Sequence, residues 1–245
     1  MSPILNRRIF LWSILATASI FVLSAERLLN SVSAQTLHSA GHTQLPIWPS
    51  KGFVTFPGQS TGLHAYTPEE ITLVNQALKV DGYLGIILHG ARIGCSCKIV
   101  EHELLTNGSI NLQIVGEQPF HVEAYTQRQP YKIAEVTWLN EEPVNEDLTP
   151  LVTQIRQLAI DCNKMSIEKL GLLAREDISV MLSSFVSNLP NTPLELSYAF
   201  APATGSFEEQ QYLLEIRNTA LRLQRELNTL QRIHRDLKAE LSQPK

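Results

Sequence analysis

The residues most able to do chemistry are Cys95 and Cys97, separated by Ser96. Residues i and i+2 of a β-strand point to the same face, so the two sulfurs could meet a metal ion or each other. A metal would need further ligands, and the sequence has no second cysteine pair, while a redox pair normally has the spacing Cys-x-x-Cys. We predict that both cysteines are buried structural residues, and a metal or redox role remains the alternative.

The other motifs argue against catalysis. His64 has no serine or cysteine nucleophile with an adjacent acid that could be assigned to it, so we interpret it as structural. His102-Glu103 lacks the second histidine of the zinc motif His-Glu-x-x-His. Neither a phosphate-binding Gly-x-x-x-x-Gly-Lys-Ser/Thr loop nor a Gly-x-Ser-x-Gly turn occurs. The sequence therefore predicts a protein that is not an enzyme and that has no cofactor or metal.

Composition limits the class of protein. The chain has 245 residues, of which 44% are hydrophobic, enough for one large domain or two small ones. The net charge of −4 and the lack of a long basic run argue against a nucleic-acid partner. The three cysteines are too few for a disulfide framework.

The N-terminal segment, residues 1–40, has the pattern of a targeting signal and a leader. Arg7 and Arg8 precede an uncharged apolar run from Ile9 to Leu23. That run would extend roughly 22 Å as a helix, short of the roughly 30 Å membrane core. The pattern resembles a twin-arginine export signal and predicts export to the periplasm or thylakoid lumen. A membrane anchor formed by residues 9–23 is the alternative, and we expect membrane contact only through this segment.

Residues 41–140 have the pattern of a β-rich unit. Strands are predicted at Phe53–Phe56, Tyr83–Leu88, Cys95–Leu105, Ser109–Val115, Phe120–Thr126 and Tyr131–Leu139. Asn107-Gly108 predicts a hairpin with a type I′ turn. One helix is expected between these strands, with Thr67 as its cap, Pro68 in its first turn and Glu70 completing a capping box.

Residues 141–245 change to a helical pattern. Asn140–Thr149 is an acidic linker, after which helices are predicted at 149–163, 166–174, 177–188 and 193–201. A last helical run begins at the Ser206 capping box and continues to about Leu241. Its apolar residues recur in steps of three and four: Ala220, Leu223, Leu227, Leu230, His234, Leu237 and Leu241. This seam either packs on the chain's own helices or binds a partner helix.

Several segments, in order, carry a family resemblance. "LPIWPSKGFVTFPGQSTGLHAY", "IGCSCKIVEHELLTNGSINLQIVGEQPFHVEAY", "PYKIAEVTWLNEEP" and "PLELSYAFAPATGSFEEQQYLLEIRNTALRLQRELNTL" resemble the N-terminal, substrate-binding domain of Lon proteases. The last of these segments looks like the C-terminal half of that domain in stand-alone Lon-domain proteins of bacteria, cyanobacterial ones especially. The resemblance implies an α+β fold, in which a PUA-like pseudo-barrel is followed by a helical bundle with a long C-terminal helix.

Three hypotheses about function follow. The first is a non-catalytic module, without ATPase or protease modules, that binds unfolded or partly folded polypeptides or a protein partner. Trp48 and Phe53 are its candidate contacts, because they flank a turn where aromatic rings could lie at the surface; burial of both in the core is the competing interpretation. The second is an adaptor that docks a partner through the C-terminal helix. The third is a metal or redox protein that uses Cys95 and Cys97.

Overall fold

The computed structural model describes residues 44–170, 175–203 and 206–242. Its strands are β1 (Gln44–Ser50), β2 (Ser60–Ala65), β3 (Tyr83–Leu88), β4 (Ile93–Leu104), β5 (Ile110–Gln127) and β6 (Lys132–Trp138). Its helices are α1 (Pro68–Val80), α2 (Thr149–Leu170), α3 (Arg175–Asn188), α4 (Pro193–Ala199), α5 (Phe207–Glu215) and α6 (Thr219–Leu241). A short 3₁₀ turn, Ala201–Ala203, follows α4.

The six strands form one sheet that closes on itself. Their order is β2-β5-β4-β3-β1-β6, and β5 also pairs with β6, so five strands complete a ring and β2 lies outside it. All pairs are antiparallel except β1 with β3. The predicted α+β fold, with a barrel-like β part followed by helices that end in a long one, is confirmed.

Helix α1 begins where local chemistry predicts. The Thr67 hydroxyl accepts a hydrogen bond from the Glu70 amide, and the Glu70 carboxylate accepts one from the Thr67 amide. These bonds satisfy amide donors that a helix start leaves unpaired. The helix buries Leu73, Val74 and Ala77 in a core cluster that also contains residues of β2, β3, β4 and β5.

A second core cluster within the sheet surrounds Phe120. This fully buried ring packs with Leu45, Ile47 and Ile87, among others. Two glycines make room for it, because a Cβ atom on Gly85 or Gly94 would lie 2.7 or 2.9 Å from the Phe120 Cζ atom.

Three predictions about strands need correction. Residues 53–56 form no strand; they are an irregular segment in which the Phe56 amide donates to the Gln59 side chain. The two strands predicted at 109–115 and 120–126 are parts of the single long strand β5. The hairpin is present, but Leu105 and Ser109 enclose a three-residue loop with Gly108 at φ 84°, instead of a type I′ turn.

The helical predictions were partly wrong about where helices end. Helix α2 continues to Leu170, well past the predicted end at 163, so the helix predicted at 166–174 is partly its continuation. The single run predicted from 206 to 241 is two helices, because residues 216–218 leave the helical path. There the Arg217 carbonyl accepts from the Glu142 amide, and the Arg217 Nε donates to the Asn140 carbonyl at 2.9 Å. These partners lie far away in the sequence, so periodicity could not indicate the break.

The leucine seam of α6 packs against the chain's own helices over its first half. Leu223, Leu227 and Leu230 share a core cluster with Ile155, Ala159 and Leu196. The buried face is wider than the predicted seam, since Arg222 and Glu226 are buried too. Leu237 in the distal half is buried as well, and the exposed leucine of the seam is Leu241, so little of the seam is available to the partner of the adaptor hypothesis.

Two compact units result. One contains residues 44–143 and 206–218, so α5 belongs with the sheet; the other contains 144–203 and the residues from 219 onwards. No helix among the described residues combines the length and hydrophobicity needed to cross a membrane. The predicted export signal and the alternative anchor at 9–23 lie outside the described residues.

Candidate functional site

The two aromatic residues proposed as contacts are held inward. Trp48 is only 7% exposed and belongs to the core cluster below α1, and Phe53 is half-buried against the same cluster. The Ser50 hydroxyl donates to the Phe53 carbonyl at 2.7 Å and accepts from the Phe53 amide at 3.0 Å, which fixes the turn between the two rings. Trp48 is thus a core residue, and a binding role for either ring stays a prediction.

The cysteine pair is buried and reduced. Cys95 and Cys97 are fully buried, and the Cys97 thiol donates to the Cys95 carbonyl at 3.5 Å. Desolvation, with a smaller contribution from Cys95, raises the pKa of the Cys97 thiol well above its usual value. A buried neutral thiol is a poor nucleophile and metal ligand. Within the described ranges no three His, Cys, Asp or Glu side chains gather as metal ligands.

His64 lies at the surface of β2. Its Nδ1 atom is 2.7 Å from the Asn111 side-chain oxygen, and its ring stacks on Tyr66 with centroids 6.0 Å apart. The contact with Asn111 joins β2 to the neighbouring strand β5.

A different feature of the sheet unit is suited to binding. Strand β3 pairs with β4 only as far as Lys98, although β4 continues to Leu104. Beyond Lys98, β5 borders β4 on one side, and no strand of the described chain borders it on the other. We call residues 100–104 the open edge of β4. An edge without a neighbouring strand offers backbone donors and acceptors to another extended chain.

The direction of these backbone groups follows from the hairpin. Leu105 and Ser109 form a hydrogen-bonded pair, since the Leu105 amide donates to the Ser109 carbonyl at 2.9 Å. Antiparallel pairs alternate between bonded and non-bonded, so Leu104 and His102, opposite Ile110 and Leu112, form non-bonded pairs. Their amides and carbonyls therefore point away from β5 into the open edge.

The side chains of the open edge are exposed and of two kinds. Val100 is 51% exposed and Leu104 is 70% exposed, both large values for apolar residues. Glu101 and Glu103 are also exposed. Because successive residues of a strand alternate between faces, the two carboxylates lie on the face opposite to the Leu104 side chain.

No motif in the sequence pointed to the open edge. The available signal was length: β4 was predicted at eleven residues and β3 at six, so part of β4 had to lack that neighbour. Locating the uncovered part also requires the strand pairing, which the sequence does not show.

A small concavity lies at another place in the same unit. It has a volume of about 160 Å³ and lies between the end of α1 and the first residues of β1 and β6. Its walls include Leu45, Val80, Tyr83 and Tyr131. Burial, and a smaller repulsion from Glu117, raise the pKa of Tyr83 to about 12, so this phenol is neutral at physiological pH.

Comparison with curated proteins finds Lon proteases. The chain is 23% identical to the Lon protease of Cytophaga hutchinsonii over 215 residues, covering 79% of this chain and 26% of that protein. It is 30% identical to the Lon protease of Methylocella silvestris over 109 residues, covering 40% and 14%. The chain therefore spans about a quarter or less of the length of these relatives.

Solved structures agree in fold. The Lon N-terminal domain protein from Xanthomonas campestris superposes with a TM-score of 0.56 at 19% identity, covering 76% of this chain and 98% of that one. The N-terminal domain of Mycobacterium avium complex Lon protease gives a TM-score of 0.56 at 16% identity, covering 79% and 98%. The family model for the ATP-dependent protease La (LON) substrate-binding domain matches residues 44–232. That match covers most of the chain, which therefore belongs to the LON substrate-binding domain family.

Proposed function

We propose that this protein is a non-catalytic module that holds unfolded or partly folded polypeptides. The family match over residues 44–232 carries the proposal, because the matched domain is described as the substrate-binding part of a protease. The similarity is to that domain alone, which favours binding without proteolysis or ATP hydrolysis.

The open edge of β4 supports the proposal physically. It combines the outward-pointing backbone groups of His102 and Leu104 with the exposed side chains of Val100 and Leu104. A folded partner already pairs its own backbone and buries its apolar residues, whereas an unfolded chain exposes both. The surface is therefore better suited to unfolded chains than to native ones.

The test compares one target protein in two states. A disulfide-containing protein is reduced and carboxymethylated so that it stays unfolded, and its native form serves as the matched control. Fluorescence anisotropy or calorimetry should show saturable binding of the unfolded form and none of the native form. If neither form binds, or both bind equally, the proposed function is wrong.

We also propose that the protein is exported. Arg7 and Arg8 ahead of the apolar run Ile9–Leu23 support this proposal. Cell fractionation and mass spectrometry of the mature N-terminus should find the protein outside the cytoplasm and cleaved before residue 40. An intact N-terminus in the cytoplasmic fraction would contradict export.

A further inference from the structure

We propose that the open edge of β4 captures its ligand by strand addition, and that the ligand is an extended segment in which apolar residues alternate with Lys or Arg. This inference rests on the proposed function and specifies its binding mode. Strand addition uses backbone hydrogen bonds for affinity and alternating side chains for selectivity.

The backbone of the open edge supplies a template for such pairing. The amides and carbonyls of His102 and Leu104 point away from β5, two residues apart, which is the repeat at which a new antiparallel or parallel strand forms bonds. The open edge is five residues long, and no strand of the described chain pairs with it on this side. A strand of that length is common in globular proteins.

The side chains determine the chemistry of the incoming strand. Its residues on the face of Glu101 and Glu103 meet two carboxylates, so Lys or Arg is favoured there. Its residues on the other face lie beside Leu104, which is 70% exposed, so apolar side chains are favoured there. The two faces together select an alternating basic and apolar sequence.

The same charges disfavour a second copy of this chain. Antiparallel pairing of two open edges centred on His102 would place Glu101 of one copy opposite Glu103 of the other. Like charges directly opposite on one face destabilise a strand pair. The occupant is therefore a basic segment of another polypeptide, and edge-to-edge dimerisation is an outcome that the test can reveal.

Labelled peptides test the inference on the wild-type protein. A peptide of alternating Val and Lys should bind more tightly than the corresponding Val and Glu peptide, and raised salt should weaken its binding. A version that is N-methylated on every second residue keeps the side chains but loses the bonding amides, and should bind about tenfold more weakly or worse. Equal binding of the methylated and unmethylated peptides would overturn strand addition.

Protein variants locate the site. H102P removes an outward amide, a change that an edge strand tolerates because the bonds to β5 are unaffected. H102A keeps that amide, so the H102P variant should bind about tenfold more weakly than H102A. The matched control is H64P on β2, the opposite edge of the sheet, which should bind like wild type; urea unfolding of each variant confirms that it is folded.

Charge reversal tests the ligand class. The double variant E101K/E103K should prefer the Val and Glu peptide to the Val and Lys peptide. An unchanged preference would overturn the choice of a basic ligand, and a concentration-dependent dimer that H102P dissociates would overturn the choice of occupant. If unfolded proteins bind while H102P and H102A behave alike, strand addition fails and the proposed function stands; if nothing binds wild type, the proposed function itself fails.

Discussion

At Gly94 the packing around the closed ring of strands leaves no room for even a methyl group. A Cβ atom there would lie 2.3 Å from the Ile86 carbonyl oxygen and 2.9 Å from the Phe120 ring. The backbone oxygen cannot move without disturbing the β3–β4 pairing, in which Ile86 lies opposite Cys95. Gly94, together with Gly85, thus permits the fully buried Phe120 and the strand pair to coexist.

We therefore expect Gly94→Ala to lower the free energy of unfolding by about 2 kcal/mol or more, as overpacking of a tight core does. Urea denaturation measures the change. Gly52→Ala is the matched control, because a Cβ atom there meets nothing within 4 Å. Equal stability of the two variants would contradict this account of Gly94.

Glu226 is a buried carboxylic acid that should make the stability of the protein depend on pH. It is 1% exposed, and neither carboxylate oxygen has a hydrogen-bond partner of full geometry. Desolvation raises the pKa of this carboxyl well above its usual value, although Arg222 and the backbone amides of Phe200 and Ala201 act in the opposite direction. The native state therefore holds a proton on Glu226 at pH values where the unfolded chain has released it.

A raised pKa in the native state gives stability that is fully present at pH values below the unfolded pKa of about 4.5 and is lost as the pH rises. The variant Glu226→Gln cannot ionise at this position. Its stability relative to wild type should therefore increase as the pH rises from 4.5 towards neutrality. Urea unfolding across that range measures this, with the exposed Glu168→Gln as control; a difference that does not change with pH would contradict the prediction.

At the scale of elements, the start of α1 is determined by neighbouring residues, whereas the open edge of β4 is determined by residues distant in the sequence. The start of α1 is set by Thr67, Pro68 and Glu70, neighbours in the sequence whose hydrogen bonds are local. The open edge of β4 depends instead on where β3 begins, at Tyr83, a residue distant in the sequence. Helix α1 covers one core cluster, and the open edge leaves part of the same sheet uncovered.

Loss of the α1 cap should cost stability without changing the fold. Thr67→Ala removes the hydroxyl that accepts from the Glu70 amide, and we expect a loss of about 1 kcal/mol in urea unfolding. Thr72→Ala is a suitable control, since the Thr72 hydroxyl donates to the Pro68 carbonyl in the first turn and caps no free amide. A larger loss in the control than in Thr67→Ala would contradict the capping argument.

At the scale of the whole molecule, the similarity is to one domain of the Lon proteases, the substrate-binding domain. It covers 79% of this chain but 26% of the Cytophaga hutchinsonii Lon protease. The sheet unit contains the open edge, and the helical unit buries the first half of the leucine seam of α6 within itself. A binding module is the function that this distribution favours.

The purified protein should therefore hydrolyse neither ATP nor peptides. A phosphate-release assay and a fluorogenic casein assay should stay at the level of a mock purification, also when unfolded protein is added. Turnover that copurifies with the protein and is changed by substitutions in it would contradict a non-catalytic role.

The sequence by itself determined the features that depend on neighbouring residues. The capping box of Thr67 and Glu70, the hairpin around Gly108 and the change from strands to helices after Asn140 are local patterns, and each is present in the structure. The ordered segments that resemble the LON substrate-binding domain also identified the family correctly.

Tertiary structure decided whatever depends on partners distant in the sequence. Trp48 is buried in a core cluster that it shares with α1 and four other strands, and the α5–α6 break is held by hydrogen bonds between Arg217 and both Asn140 and Glu142. The open edge exists because β3 begins only at Tyr83, opposite Lys98, while β4 continues to Leu104. Hydrophobic periodicity shows that a residue has a buried face, but only the pairing of strands shows which backbone groups remain unpaired.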